Sequence, residues 1–273
     1  MALYDGLRHG RDCMGLKGLW QKRRVLQGFV GLLALLPGAA AAELVRGVTW
    51  DWQLQAPLDL GVAVEVLALD PEEVTAAQVA ALGARGVYTI CYVSVGTLEN
   101  WRADAGHFPR SAIGRAYAGW EEEHFLDIRH PAVLAQMGAR IARCAEMGFD
   151  AVEPDNMDLH HNDTGFGITP AQVIDYFGKL AAIAREAGLD IGQKNAPDLT
   201  GALIGMADFV ITEGCIEDGW CDAVAAYPAA GKAVLAAEYV APPAMVCAKW
   251  AARGYSVIVK THDLTRARME CGP

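Results

Sequence analysis

The sequence predicts a single (β/α)₈ barrel of the TIM type, irregular near its start. Three observations predict it. Apolar β-type runs alternate with helical patterns across residues 43–273, there are eight such runs, and polar residues gather at their C-terminal ends. The runs cover 48–54, 64–69, 87–95, 151–157, 191–195, 209–213, 233–239 and 255–261. An open doubly wound sheet is the competing architecture, because periodicity does not distinguish a closed sheet from one with free edges.

The helices follow from caps and apolar faces. Over 169–187, Thr169 is the N-cap, Pro170 takes the first helical position and Gln172 completes a capping box. Val173, Phe177, Leu180 and Ala184 share one face, and Gly188 stops the helix. Over 132–147, Leu134, Met137, Ile141 and Cys144 form the apolar side, Arg140 and Arg143 the wet side, and Gly148 the stop. Similar patterns cover 74–82 and 243–252. Between the first two runs only nine residues are available, without a helical period, so the first crossover helix is expected to be missing or rudimentary.

Ahead of this domain, residues 1–42 read as a secretory signal peptide. Lys22, Arg23 and Arg24 precede an apolar run over 25–36, then Pro37 and the series Ala39 to Ala42. A membrane anchor is the competing reading, but about a dozen apolar residues fall short of a hydrocarbon core of about 30 Å. Met14 also opens a complete signal peptide, which makes it a candidate start.

Removing residues 1–42 takes away six basic and two acidic side chains and leaves 17 against 31, a net charge near −14. That balance argues against a nucleic-acid partner and suits a neutral or cationic substrate. Six cysteines remain in an oxidising compartment, which suggests disulfides. The short spacing of Cys215 and Cys221 makes that pair easy to close, and Cys271 can tie the C-terminus to Cys247. Cys91 and Cys144 then form a third bridge or stay buried thiols.

Seven strand ends turn polar: Asp70, Ser94, Asp155, Asn195, Glu213, Glu238 and Lys260. This is the edge on which such barrels build active sites. Strand alternation puts Glu153 and Asp155 on one face with Asp155 nearer the mouth, while Glu213 ends a strand two places further round. Two carboxylates facing one cleft are the equipment for glycosidic cleavage. Ionising one discourages ionising the other, so one is expected to keep its proton, with Lys194 and Lys260 offsetting the remaining charge.

Other chemistries lack their motifs. There is no G-x-S-x-G elbow, P-loop or G-x-G-x-x-G turn, so no cofactor is expected. Nor is a metal, since C-x-x-C spacing is missing and Asp158, His160, His161 and Asp163 read as solvated loop side chains. Trp50, Trp52, Trp101 and Trp120 read as packing aromatics, and Tyr92 and Tyr239, at strand ends, as the sugar-stacking ones.

Several local patterns occur together: Cys91-Tyr92 with Gly96-x-x-Glu99-x-Trp101-Arg102, then Gly148-Phe149-Asp150 and Glu153-Pro154-Asp155-Asn156-x-Asp158. Lys194-Asn195, Glu213-x-Cys215, Cys221-Asp222 and Glu238-Tyr239 complete the set. In this combination the chain resembles the endo-α-1,4-polygalactosaminidase family, glycoside hydrolase family 114, over about residues 48–271. The resemblance implies a barrel that cleaves inside α-1,4-linked, galactosamine-containing exopolysaccharide by a retaining mechanism. Asp155 matches its nucleophile and Glu213 its acid/base. Asp70, Tyr92, Asn156, Lys194, Asn195, Glu238 and Tyr239 are the expected substrate-binding residues, with Asp70 and Glu238 on the ammonium group of a deacetylated sugar. One departure is Phe149, where many relatives carry cysteine, which leaves the third disulfide open.

The expected partner is the polysaccharide alone, bound by a monomer without nucleic acid or a stable membrane span, in the periplasm or outside the cell. The alternatives are a non-catalytic polysaccharide-binding barrel serving export and a hydrolase of another α-linked hexosamine polymer.

Overall fold

The computed structural model describes residues 44–271, so the export segment expected over 1–42 lies outside the described residues. In chain order the strands are β1 (Trp50–Gln53), β2 (Val66–Leu69), β3 (Tyr88–Ser94), β4 (Thr97–Glu99), β5 (Ile113–Tyr117) and β6 (Trp120–Leu126). They continue with β7 (Ala151–Asp155), β8 (Asp190–Lys194), β9 (Phe209–Glu213), β10 (Val234–Glu238), β11 (Tyr255–Val259) and β12 (Met269–Glu270). The helices are α1 (Ala76–Ala84), α2 (Pro131–Met147), α3 (Pro170–Glu186), α4 (Thr200–Leu203), α5 (Ala226–Ala229) and α6 (Ala244–Ala252).

Eight parallel strands pair in the order β1-β2-β3-β7-β8-β9-β10-β11, and β12 adds antiparallel to β11. They coincide with the eight apolar runs. The sheet curls into a nearly closed barrel, which rules out the open alternative. At the seam, side chains and loops replace a ladder: Trp50 Nε1 donates to Ser256 O at 2.8 Å, and Leu54 N donates to Leu264 O at 2.9 Å. No helix lies between β1 and β2, as the short spacing predicts.

Strand alternation divides the core in two. Trp50, Trp52, Ala68, Ile90, Phe209 and Ile211 fill the barrel interior, while Leu67, Leu69, Cys91, Val152 and Val210 meet the surrounding helices. The interior is tight enough to require glycine on β8, since a Cβ at Gly192 would lie 2.5 Å from the Phe209 ring. The capping box on α3 forms between Thr169 and Gln172, and Gly148 ends α2 in the left-handed region at φ +87°.

One element departs from the sequence reading. Between β3 and α2 the chain builds a small antiparallel sheet in the order β4-β6-β5. Its longest strand, β6, begins with Trp120 and three glutamates, so it carries no sustained apolar alternation. This insertion also corrects the placement of Arg140 on a wet face. The side chain is largely buried, with Nε and Nη2 on Asp104 at 2.8 and 2.7 Å and Nη1 on Ser94 O at 3.1 Å.

Three disulfides form: Cys91–Cys144, Cys215–Cys221 and Cys247–Cys271. The third bridge, left open by Phe149, therefore exists and ties β3 to α2. Among the described residues no helix is long and apolar enough to cross a membrane.

Candidate active site

The site is organised by one buried cation. Lys194 ends β8 pointing into the barrel, 1% exposed, with Nζ 4.6 Å from the Trp52 ring centroid. Nζ lies 2.9 Å from Glu153 Oε1, 2.8 Å from Asp155 Oδ1 and 3.1 Å from Glu213 Oε2. Strand geometry makes this possible: Glu153 and Asp155 share the inward face of β7, and Glu213 ends β9 on the other side of β8. Because Asp155 and Glu213 share one nitrogen, their bonded oxygens are no more than about 6 Å apart.

Each carboxylate of that pair has a further tyrosine donor. Tyr92 Oη donates to Asp155 Oδ2 at 2.9 Å, and Tyr239 Oη donates to Glu213 Oε1. Asn195 Nδ2 donates to Glu213 Oε2 at 3.2 Å, while its Oδ1 accepts Glu213 N at 2.9 Å. Behind them, Trp52 Nε1 donates to Glu153 Oε2 at 3.0 Å. Three anions around one ammonium leave an excess of negative charge. Burial works to discharge Lys194, but Asp155, Glu153 and Glu213 outweigh it and hold its pKa well above the ordinary value. Burial, reinforced by Asp155 and Glu213 against the pull of Lys194, pushes Glu153 up to about 7. The deepest carboxyl thus has its proton affinity raised to the neutral range.

Asn156 follows Asp155 in the left-handed region, φ 61°, and its Nδ2 donates to Ser94 Oγ at 3.0 Å and Thr97 Oγ1 at 3.1 Å. Its carbonyl passes so close to Gly96 that a Cβ there would sit 1.8 Å from the oxygen. Thr97 Oγ1 also donates to Glu123 Oε2 at 2.6 Å within the inserted sheet, so the bond from Asn156 to Thr97 joins that sheet to the end of β7. Burial, then the nearby Glu99 and Asp155, raise Glu123 to about 7 although the Thr97 hydrogen bond opposes this.

These groups open into a cleft of about 1040 Å³ whose wall includes Glu72, Glu121, Glu122, Asp158, Glu217 and Asp263. Trp101 and Trp120, 51% and 52% exposed, stand on this wall. They correct the choice of stacking aromatics. Tyr92 is buried and Tyr239 lies flat against His262 at 3.9 Å, so both serve as hydroxyl donors here, while the open indole faces come from the region of the insertion.

The strand-end residues separate into groups. Asp155, Lys194, Asn195 and Glu213 converge, with Tyr92, Asn156 and Tyr239 around them. Asp70 lines the cleft, but both its oxygens are taken by Arg102, at 2.8 and 2.7 Å. Glu238, expected to bind substrate, is fully buried and accepts Ile216 N at 3.0 Å and Glu217 N at 3.2 Å, so it holds the loop after β9. Lys260 pairs with Asp51 at 2.9 Å near the β1–β11 seam, so its charge is spent there rather than on Asp155 and Glu213, where it was expected. Glu153 and Glu123 were missed as site residues. Glu153 was recoverable from its position two residues before Asp155 on one strand face. Glu123 carried no such signal.

Comparison with curated protein sequences returned no match. Among solved structures, Ega3 of Aspergillus fumigatus, in complex with galactosamine, aligns with a TM-score of 0.77 and 29% identity, over 85% of this chain and 99% of that one. The glycoside hydrolase domain of PelA from Pseudomonas aeruginosa aligns with a TM-score of 0.67 and 17% identity, over 81% and 97%, a likeness of fold. The family model of glycoside-hydrolase family GH114 matches residues 35–272. With the barrel, the paired carboxylates and a family match over most of its length, the chain belongs to glycoside-hydrolase family GH114 and is a glycoside hydrolase.

Proposed function

We propose that the protein is an endo-acting, retaining hydrolase of α-1,4-linked, galactosamine-containing exopolysaccharide, with Asp155 as nucleophile and Glu213 as acid/base. The observation that carries this reading is the sharing of Lys194 Nζ by the two carboxylates. Retaining pairs stand about 5 to 5.5 Å apart, and inverting pairs about 6.5 to 9.5 Å, to admit a water. The limit of about 6 Å between the two oxygens on Lys194 accommodates the first class.

In the forward step Asp155 attacks the anomeric carbon while Glu213 gives its proton to the departing glycosidic oxygen. Water then cleaves the glycosyl-enzyme ester, with Glu213 taking the water's proton. Lys194 and Tyr92 hold the Asp155 carboxylate aimed before attack. Asn195 and Tyr239 fix the Glu213 carboxyl where the leaving oxygen arrives. The acidic wall suits an ammonium-bearing sugar, and the galactosamine bound by Ega3 supports that substrate class. Cleavage inside a chain fits a long open cleft with exposed indoles. Export to the periplasm or beyond is supported by the three disulfides.

The test is release of reducing ends from partially deacetylated galactosaminogalactan, with Asp155→Asn and Glu213→Gln alongside. Both variants are expected to lose at least about 10³-fold in kcat. Saturable binding by the wild type without any cleavage would instead establish a polysaccharide-binding barrel.

A further inference from the structure

On the sequence, His160 and His161 stand in a loop with Asp158 and Asp163 and make no metal spacing. The tertiary structure replaces those neighbours. Asp163 turns to Arg115, and Asp198, from the turn after β8, comes to the two histidines. His160 Nε2 lies 2.8 Å from Asp198 Oδ2, and His161 Nε2 lies 3.2 Å from Asp198 Oδ1. The imidazole rings lie against each other with centroids 4.0 Å apart. We propose that His160, His161 and Asp198 form a binding site for one divalent transition-metal ion of the zinc class, which clamps the loop after β7 to the loop after β8.

The donor set and its spacing carry the proposal. Two imidazole nitrogens and one carboxylate are the ligands a borderline cation selects, whereas Mg²⁺ and Ca²⁺ take oxygen. Ligands held at about 2.0 to 2.15 Å around a tetrahedral ion sit about 3.3 to 3.5 Å from one another. A ligand atom from each of the three residues lies within 4.8 Å of the others, so the ion is admitted when the Asp198 edges open by a few tenths of an ångström and the longest edge draws in toward about 3.4 Å. His160 is fixed by burial, with its side chain 2% exposed and its Nδ1 without a hydrogen-bond partner in the structure. His161 and Asp198, 59% and 43% exposed, leave the entry side open, where water supplies the fourth ligand.

Location gives the ion a purpose. The histidines follow the strand that ends in Asp155, and Asp198 follows the strand that ends in Lys194. Both loops begin in left-handed backbone, at Asn156 (φ 61°), Asn195 (φ 44°) and Ala196 (φ 47°). Such conformations persist only where their surroundings hold them. A metal bridge between the loops adds that restraint a few residues beyond the catalytic strands without entering the cleft.

The experiment is titration of the untagged, metal-stripped protein with Zn²⁺ in excess Mg²⁺, by isothermal calorimetry and thermal denaturation. One site is expected, with a Tm rise of about 5–10 °C at 100-fold excess over Kd. Because the ligating histidines must be neutral, affinity is expected to fall more than about tenfold between pH 7.5 and pH 5.5. His161→Ala and Asp198→Asn, both on the exposed side, should lower affinity by more than about tenfold and leave the metal-free Tm in place. No saturable binding, or binding unchanged in both variants, would overturn the proposal. The readouts do not use glycosidase activity, so they succeed or fail independently of the assigned reaction.

Discussion

Replacing Lys194 by methionine removes the shared cation while keeping a chain of similar length against Trp52. In the wild type the ammonium makes three ion pairs at 2.8 to 3.1 Å in a position 1% exposed. Removing one partner of a buried pair costs about 3–5 kcal/mol, because the other charge stays desolvated. For a domain of this size each kcal/mol moves Tm by about 2–4 °C, which gives a loss of about 6–20 °C near pH 8. The loss must depend on pH. Glu153 already has a folded pKa raised to about 7, so its stabilising contribution is full below the unfolded value near 4.5 and fades as pH rises through 7. Without Lys194 that pKa rises further, so the variant should lie closest to the wild type near pH 5 and furthest from it at pH 8. Circular dichroism melts from pH 5 to 8 measure this, and kcat/KM should fall by at least about 10²-fold. A Tm deficit that is flat across this range, or smaller than about 2 °C at pH 8, refutes the shared-cation account.

Tyr92→Phe removes the donor to Asp155 Oδ2, a hydrogen bond to a charged group worth about 1.5–3 kcal/mol; kcat should fall about 10- to 100-fold. Wild-type kcat in this variant would detach Tyr92 from the proposed role of Asp155. Glu123→Gln imitates the protonated form of a carboxyl raised to about 7, whose stabilising effect the wild type loses as pH climbs from about 4.5 through 7. The variant should therefore match the wild type near pH 5 and melt a few degrees higher at pH 8; the opposite order would contradict a raised pKa. Cys91→Ala with Cys144→Ala opens a cross-link spanning 53 residues, about 4 kcal/mol of chain entropy, so calorimetry should show Tm lower by about 8–16 °C. A drop below about 3 °C would mean that the bridge between β3 and α2 contributes little to the fold.

The sequence by itself determined the eight strands and their covering helices, and the structure closed them into a barrel. Each barrel strand is a short apolar run, and each long helix carries its own cap and stop, as Thr169, Gln172 and Gly148 show. These are local signals with a fixed period, and local signals survive in one dimension. The convergence of Asp155 and Glu213 was legible for the same reason, because parallel strands deliver their last residues to one rim. Only the tertiary structure decided which strand-end charges face the substrate. Asp70, Glu238 and Lys260 look equivalent to Asp155 along the chain, but Arg102, the amides of Ile216 and Glu217, and Asp51 take them up. The inserted sheet escaped notice because its strands lack apolar alternation and owe their pairing to the barrel beneath. The meeting of His160 and His161 with Asp198 was likewise invisible, since its partners lie 37 and 38 residues apart and no periodicity joins them. Burial and pairing are properties of three-dimensional neighbours, and a charge shows its role only when those neighbours are known.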